Sequence, residues 1–504
     1  MAGKNKVGKV LKEKLSTLKI GETVKVAVIF EAPFYRSLER EEVISTLEKH
    51  LEEKVKKLLG VRADKAKSFW LLPGFIAELD ADTIQKLLEN PEVRSIDLAE
   101  QRMKIPVTRR KIYHPPRAPF KESLWQYKPV NAYALWDKGL FGNGIVVGHL
   151  DTGINPRHPN LLGKIVGWAK VKQDGKVIPG KPSEAFDDNG HGTFTGGLIV
   201  AGTKDNPLGI APAAKLFSVK VLDRDGSGSL EQVIAGLQYI ALQKNISIVN
   251  MSWGVEGFLS LLIQPMVNLL LLGILPVAAI GNDGPGTSSS PGNIPGVLGV
   301  GALDFYPKTT NYKFLYPATF SNTEFVTPRT ATFRFPYYLK PDLLAPGVSV
   351  VSTWSKGYAS QSGSSAAAPI ISGMLAAITE KYKLAPETLF SLLKISGSFA
   401  GKPTFGYGWG IPDAGKILNY LEEASYLKII NQNSIGKPLE GIVSFSAKGQ
   451  DFIDVGYIHP VTGRLTLPAP ANTVVKFTVA QPQGKVKTVE LTTPASTTTK
   501  EVVV

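Results

Sequence analysis

The sequence predicts an α/β protein organised around a parallel sheet, with a small α/β unit ahead of it and an all-β unit behind it. Two apolar runs, 145–150 and 276–281, read as strands buried on both faces, and each is followed by a residue able to do chemistry, Asp151 and Asn282. In open parallel sheets, functional groups stand at the carboxyl ends of strands. After Leu427 the texture changes to short alternating runs, 441–445, 474–479 and 486–491, separated by Gly, Pro and Asn, which is the pattern of a small β domain.

Taken in order, Val24, Val26, Val28 and Phe30 alternate as in a half-buried strand, and Ile44, Leu47, Leu51, Val55 and Leu58 form one face of a charged helix. Strands follow over 69–79. Asp80 is placed to cap a helix carrying Ile84, Leu87 and Leu88, and 93–98 returns as a strand. The basic, proline-bearing stretch 103–119, with Arg109, Arg110, Pro115 and Pro116, reads as an exposed linker. The expected division is a unit over 1–103, a linker over 104–121, a main domain over 122–426 and a β-rich unit over 427–504. Segment 324–339 is an aromatic- and Arg-rich insertion with no assigned role, and 492–499, rich in Thr, reads as flexible.

At 504 residues the chain can bury several cores, and with no cysteine it has neither disulfides nor a thiol nucleophile. The net charge of +14 would suit an anionic partner, but no nucleic-acid-binding module accompanies it, so a solvated basic surface is expected. Segment 258–280 is apolar enough for a membrane span on paper. Pro265, Pro276, Gln264, Asn268 and Gly273 argue instead for a buried helix followed by a strand.

Three motifs carry the chemistry: Asp151-Thr152-Gly153, His191-Gly192-Thr193, and Gly363-Ser364-Ser365 running on through Ala366, Ala367 and Ala368 to Pro369. A hydroxyl attacks a carbonyl at neutral pH only if an imidazole takes its proton and a carboxylate orients that imidazole. Small residues opening a helix present a serine where free N–H groups and the helix dipole favour an oxyanion, and Pro369 is read as an early, tolerated helix position. Each motif has an ordinary reading when taken alone. The serine segment can be any small-residue helix start, Gly281-Asn282-Asp283-Gly284 any turn, and a lone histidine is more often structural, as His149 and His158 are taken to be. An aspartic protease would need a second Asp-Thr-Gly triplet, and the sequence has none.

In the order Asp, His, Ser these motifs resemble the subtilisin-like serine proteases. The resemblance makes Ser365 the nucleophile, with Ser364 where the family has threonine and Ala366 where it has methionine. It makes His191 the general base and then acid, Asp151 its orienter, and Asn282 the oxyanion donor. It places the substrate backbone along Gly226, Ser227 and Gly228, and the primary pocket between Ser252, Trp253 and Gly254 on one wall and Ala279, Ile280 and Gly281 on the other. Trp253, larger than usual there, is expected to narrow that pocket, and Asp283 to favour cationic substrates.

The resemblance further implies a subtilisin-like parallel-sheet catalytic domain and an N-terminal propeptide that inhibits its own enzyme until cut within 99–121. It implies protein and peptide substrates, an acyl-enzyme intermediate and no cofactor for the chemistry. A catalytically silent scaffold is the alternative. Structural calcium has few ligands to draw on, because Asn160 stands where the family has aspartate; Asp187 and Asp188 read equally as solvated or substrate-facing. The basic start lacks the apolar core of a secretory signal, while the family points to extracellular action and the alternative is cytoplasmic.

Overall fold

The computed structural model describes the chain except residues 1–5, 8, 31–39, 61–65, 107–123, 306–314, 329–336, 401, 448–449, 459–462 and 482–483. Most of the expected linker, including Arg109, Arg110, Pro115 and Pro116, and the centre of the 324–339 insertion therefore lie outside the described residues.

The N-terminal unit runs α1 (Lys9–Leu15), β1 (Thr23–Phe30), α2 (Arg40–Leu59), β2 (Lys67–Phe69), β3 (Gly74–Asp80), α3 (Ala81–Glu89) and β4 (Val93–Leu98). Its antiparallel sheet has the order β2-β3-β1-β4. Val43, Leu47, Leu51, Val55 and Leu59 make the buried stripe of α2 at strict four-residue steps, with Ile44 and Leu58 only partly buried beside it. Asp80 accepts from the Thr83 N–H at 2.7 Å and so satisfies one of the donors that every helix start leaves open.

A further strand, β5 (Arg102–Lys104), leaves this unit and enters the next. The middle unit opens with α4 (Ala132–Asp137) and builds its sheet from β6 (Val146–Asp151), β7 (Ile165–Val171), β8 (Val177–Gly180), β9 (Lys215–Lys220), β11 (Ile246–Met251), β13 (Leu275–Ala279), β15 (Leu298–Phe305), β16 (Leu315–Pro317) and β19 (Leu343–Pro346). The order is β16-β15-β13-β11-β6-β9-β7-β8, with β19 also on β15. Pairs inside the sheet are parallel, and only the edge partners β8 and β16 run antiparallel. Short antiparallel pairs are added by β12 (Val255–Glu256) with β14 (Ser289–Ser290), β17 (Glu324–Val326) with β18 (Tyr338–Lys340), and β20 (Val350–Thr353) with β21 (Tyr358–Gln361). The crossover helices are α5 (His191–Val200), α6 (Leu230–Ala241) and α7 (Ile263–Leu271); α8 (Ser364–Lys381), α9 (Pro386–Ser396) and α10 (Ala414–Glu423) follow the last strand of the sheet. β10 (Ser227–Ser229) stands apart from the main sheet and pairs with β5.

Segment 258–280 becomes a short turn of helix, α7 and β13. Among the described residues no helix is long and apolar enough to cross a membrane.

The N-terminal sheet packs on α6 and α7. Val26, Phe69 and Leu71 share one hydrophobic cluster with Val233, Leu237 and Met266. Polar contacts fix the docking: Arg40 donates to Ala241 O at 2.7 and 3.1 Å, to Lys244 O at 3.2 Å and to Ile246 O at 3.3 Å, and Lys25 pairs with Glu231 at 2.7 Å.

The C-terminal unit begins without a break, since α10 ends at Glu423 and β22 (Ala424–Ile430) starts at the next residue. One sheet has the order β25-β22-β28 and the other β24-β23-β26-β27, from β23 (Gly441–Ala447), β24 (Gln450–Ile458), β25 (Arg464–Pro470), β26 (Val474–Ala480), β27 (Val486–Thr492) and β28 (Thr499–Val503). The Thr-rich end is not loose. β28 lies parallel to β22, and the Thr493 and Thr497 N–H groups donate to Thr473 O and Ala424 O at 2.9 and 2.8 Å. β-branched threonines favour this extended, paired state.

Candidate active site

Asp151 is the last residue of β6 and is fully buried. One carboxylate oxygen accepts from His191 Nδ1–H at 2.7 Å and from Thr152 N–H at 2.7 Å, and the other accepts from Thr195 Oγ1 at 3.0 Å. Burial pushes this carboxyl up, but the facing His191 imidazole and these hydrogen bonds outweigh it and hold the group below the ordinary carboxylate range. Because Nδ1 must carry the proton it donates, Nε2 is left as the basic nitrogen. Nε2 is buried and has no hydrogen-bond partner among the described residues.

His191 opens α5, and its turn needs two glycines. Gly190 has φ +109°, and a Cβ there would lie 2.5 Å from Trp354; a Cβ on Gly192 would lie 2.0 Å from Gly153 O. Asp187 pins this turn from inside. It accepts from Thr152 Oγ1, Asn189 N–H and Gly190 N–H on one oxygen and from Thr193 N–H and Oγ1 on the other, at 2.7–3.1 Å. Asp188 accepts from the buried Lys220 ammonium at 2.5 Å. Asp187 thus organises the site's backbone, while the exposed Asp188 pairs with the buried Lys220.

Behind Asp151 lies a second histidine. His149 is fully buried, with Nε2 2.9 Å from Thr195 Oγ1 and Nδ1 3.1 Å from Ser218 Oγ. Burial lowers its proton affinity, so the ring is neutral. Thr195 gives its one proton to Asp151, so it accepts from His149 Nε2–H, and His149 Nδ1 accepts from Ser218. His149 is structural, as the sequence suggests, but its partner Thr195 is the residue that donates to the carboxylate orienting His191. Both signals were in the sequence: His149 shares a strand face with Asp151 two residues on, and Thr195 lies one helical turn after His191.

Ser365 is the second residue of α8 and is buried. The helix starts at Ser364, which makes Pro369 its sixth residue, past the first turn. The missing Pro369 N–H deprives the Ser365 carbonyl of its helical partner. Ser364 has a separate task. Its N–H and Oγ reach Asn282 Oδ1 at 2.8 and 2.9 Å, and its Oγ also lies 3.1 Å from the Gly281 N–H and carbonyl. Held this way, the Asn282 side chain turns Nδ2 onto Pro106 O at 3.2 Å.

Pro106 is present because β5 lies in the cleft. Lys104, Met103 and Arg102 sit opposite Ser227, Gly228 and Ser229, and Ile105 N–H donates to Gly226 O at 2.9 Å. On the other side Lys104 and Gly254 exchange both backbone hydrogen bonds, at 2.8 and 2.9 Å. Gly226, Ser227, Gly228 and Gly254 are therefore brought together around one extended strand, a case of strand addition. Ser252, Ala279 and Ile280 are fully buried, with Ser252 Oγ accepting from Asn250 Nδ2 at 3.0 Å. Gly281 joins Ser364 through the contacts above. Asp283 is exposed, and its carboxylate accepts from Asn322 Nδ2 at 3.2 Å.

Trp253 requires a correction. Its indole is fully buried and its Nε1–H donates to Leu150 O at 2.9 Å, so the ring supports the catalytic strand from within the core and does not narrow the pocket. Neighbours in extended chain face opposite ways, and it is the adjacent Gly254 whose backbone meets the cleft.

Asn160, the residue weighed for calcium, donates two hydrogen bonds to neighbouring side chains, from Nδ2 to Tyr358 OH at 3.0 Å and from its N–H to His158 Nδ1 at 3.2 Å. Among the described residues no group of three or more His, Asp or Glu gathers as metal ligands.

Comparison with known proteins agrees with this geometry. The model of the Subtilase family matches residues 142–410. A thermostable alkaline protease of Halalkalibacterium halodurans is 30% identical over 404 residues, covering 79% of this chain and 98% of that protein. Subtilisin Savinase of Lederbergia lenta is 35% identical over 259 residues, 51% of this chain and 84% of that one. Among solved structures, fervidolysin from Fervidobacterium pennivorans, described as a keratinolytic enzyme related to subtilisin, aligns with a TM-score of 0.59 at 18% identity over 96% of this chain and 79% of its own, a likeness of fold. With the buried Asp151–His191 pair, Asn282 held on a backbone carbonyl and a family match that runs from before β6 to Gly410, the chain belongs to the subtilase family of serine endopeptidases.

Proposed function

We propose that the chain is the zymogen of a serine endopeptidase in which Ser365 is the nucleophile, His191 the general base and then acid, Asp151 its orienter and Asn282 the oxyanion donor. One observation carries this reading: a side-chain amide fixed by Ser364 is bonded to the carbonyl of a peptide strand lying in the cleft. Attack by Ser365 Oγ on such a carbonyl passes its proton to His191 Nε2, and negative charge grows on the oxygen that Asn282 Nδ2 faces. His191 then protonates the leaving amine, and water releases the acyl group from Ser365. Backbone pairing with Gly226, Gly228 and Gly254 binds peptides with little regard to sequence, so proteins and peptides are the substrates.

The unit over 1–103 acts as propeptide and inhibitor. Supporting this are its docking on α6 and α7 and the passage of β5 through the cleft, where it excludes other peptides. Such latency suits an enzyme released outside the cell, and fractionation of the producing cells tests that location. The silent-scaffold alternative is met by a direct test, in which a fluorophosphonate should label Ser365 in the matured protein and casein should be hydrolysed. A folded, matured chain that does neither would favour the scaffold.

A further inference from the structure

We infer that the bond this enzyme first cuts in its own chain is the one on the carboxyl side of Pro106, and that proline at this place makes the cut slow; the inference rests on the zymogen reading above. The register of the cleft strand leaves a single candidate. Met103 faces Gly228, Lys104 is bonded on both its N–H and C=O to Gly254, and Ile105 N–H donates to Gly226 O. The next carbonyl, that of Pro106, is the one on Asn282 Nδ2. Successive carbonyls of an extended chain point to opposite sides, so moving the strand by one residue would break this bond together with the ladder that holds the strand.

Asn282 is in turn fixed through Oδ1 by Ser364, the residue before the nucleophile. The carbonyl it faces is therefore the one that becomes tetrahedral. Ser365 Oγ bonds to the Pro106 carbonyl carbon and gives its proton to His191 Nε2. The C–N bond to Val107 breaks as that proton moves to the Val107 nitrogen. Water then splits the Pro106 ester, leaving a carboxylate at Pro106 and a restored Ser365 hydroxyl.

Proline at this position has a kinetic consequence. An ordinary residue would carry an N–H able to extend the antiparallel ladder right up to the scissile bond, and proline has none. A hydrogen bond missing beside the reacting carbonyl corresponds to roughly tenfold in rate.

The test follows the full-length chain from its earliest cleavage, quenched in acid, with both fragments measured by mass spectrometry before later trimming moves their ends. The expected fragments abut, one ending at Pro106 and the other starting at Val107, while Ser365→Ala stays whole. Pro106→Leu is expected to be cut at the same bond about tenfold faster. Fragments that abut at another bond, or a Pro106→Leu chain cut no faster, would overturn the inference. A wild-type chain that hydrolyses casein yet never cuts itself also overturns it while sparing the endopeptidase reading; a chain inert to casein and fluorophosphonate sinks that reading itself.

Discussion

Removing the Ser364 hydroxyl separates the two adjacent serines by role. In Ser364→Ala, Asn282 Oδ1 keeps the 2.8 Å bond from the Ser364 N–H and loses the 2.9 Å partner, and the Gly281 N–H loses its acceptor. One of two anchors on an oxyanion donor is worth less than the donor. A single net hydrogen bond of about 0.5–1.5 kcal/mol corresponds to roughly a 2- to 12-fold loss. Removing the donor, in Asn282→Ala, should cost about 10²–10³ in kcat. Ser365→Ala should cost on the order of 10⁶. The assay is hydrolysis of a chromogenic peptide, with kcat normalised to matured chain and KM expected to change little, because the lost contact acts on charge that grows only in the transition state. Ser364→Ala placed on top of Asn282→Ala should add almost nothing. Losses that multiply in the double variant would show that Ser364 does not act through Asn282, and a Ser364→Ala as inactive as Ser365→Ala would refute the choice of nucleophile.

Three further outcomes are expected. His149 is buried with lowered proton affinity, so below about pH 6.5 the unfolded chain binds one more proton than the folded one, and stability falls by about 1.4 kcal/mol per pH unit until the folded ring also titrates; urea unfolding in a Ser365→Ala background should lack this component in His149→Gln, and an unchanged slope between pH 7 and 5 would refute it. Trp253→Ala should cost about 3–5 kcal/mol of stability while leaving the preference between Phe and Ala at the cleaved position as it was in a peptide library; a shifted preference at unchanged stability would return the indole to the pocket. Arg40→Ala removes the four contacts to the carbonyls of Ala241, Lys244 and Ile246, and charged hydrogen bonds of this kind make it reasonable to expect about 10- to 100-fold weaker inhibition by the N-terminal unit. That would be read as a shorter lag between the first cut and casein hydrolysis, and an equal lag would count against it.

A residue's role is legible in the sequence where a local pattern and a chemical group coincide. Asp151 and Asn282 are legible because apolar runs must be buried strands and the residues after them must stand at strand ends. His191 is legible because glycines on both sides mark close backbone approach. What escaped depends on non-local partners. Asp187 looks like any loop acid until Thr152 Oγ1, 35 residues earlier in the chain, joins the four donors of Asp187's own turn on its carboxylate. Trp253 lies in a correctly placed wall, yet the face its indole takes is set by Leu150, about a hundred residues distant, with which it bonds. Pro106 is one more proline in a proline-bearing stretch until β5 adds itself to β10.

The junction at Ala424 sets what the C-terminal sandwich can be. Ala424 is at once the cap of α10, donating to Tyr420 O, and the first residue of β22, opposite Pro470. Tyr426, two residues into that strand, packs in the core of the middle unit. A module on a flexible tether sweeps a volume and raises local concentration in every direction. This one has no tether, so as an outrigger it would hold anything bound to it at one distance and one angle from Ser365. A polymeric substrate anchored there would be cut at a constant spacing from its anchor, and a flexible insert between Glu423 and Ala424 would blur that spacing without touching the chemistry.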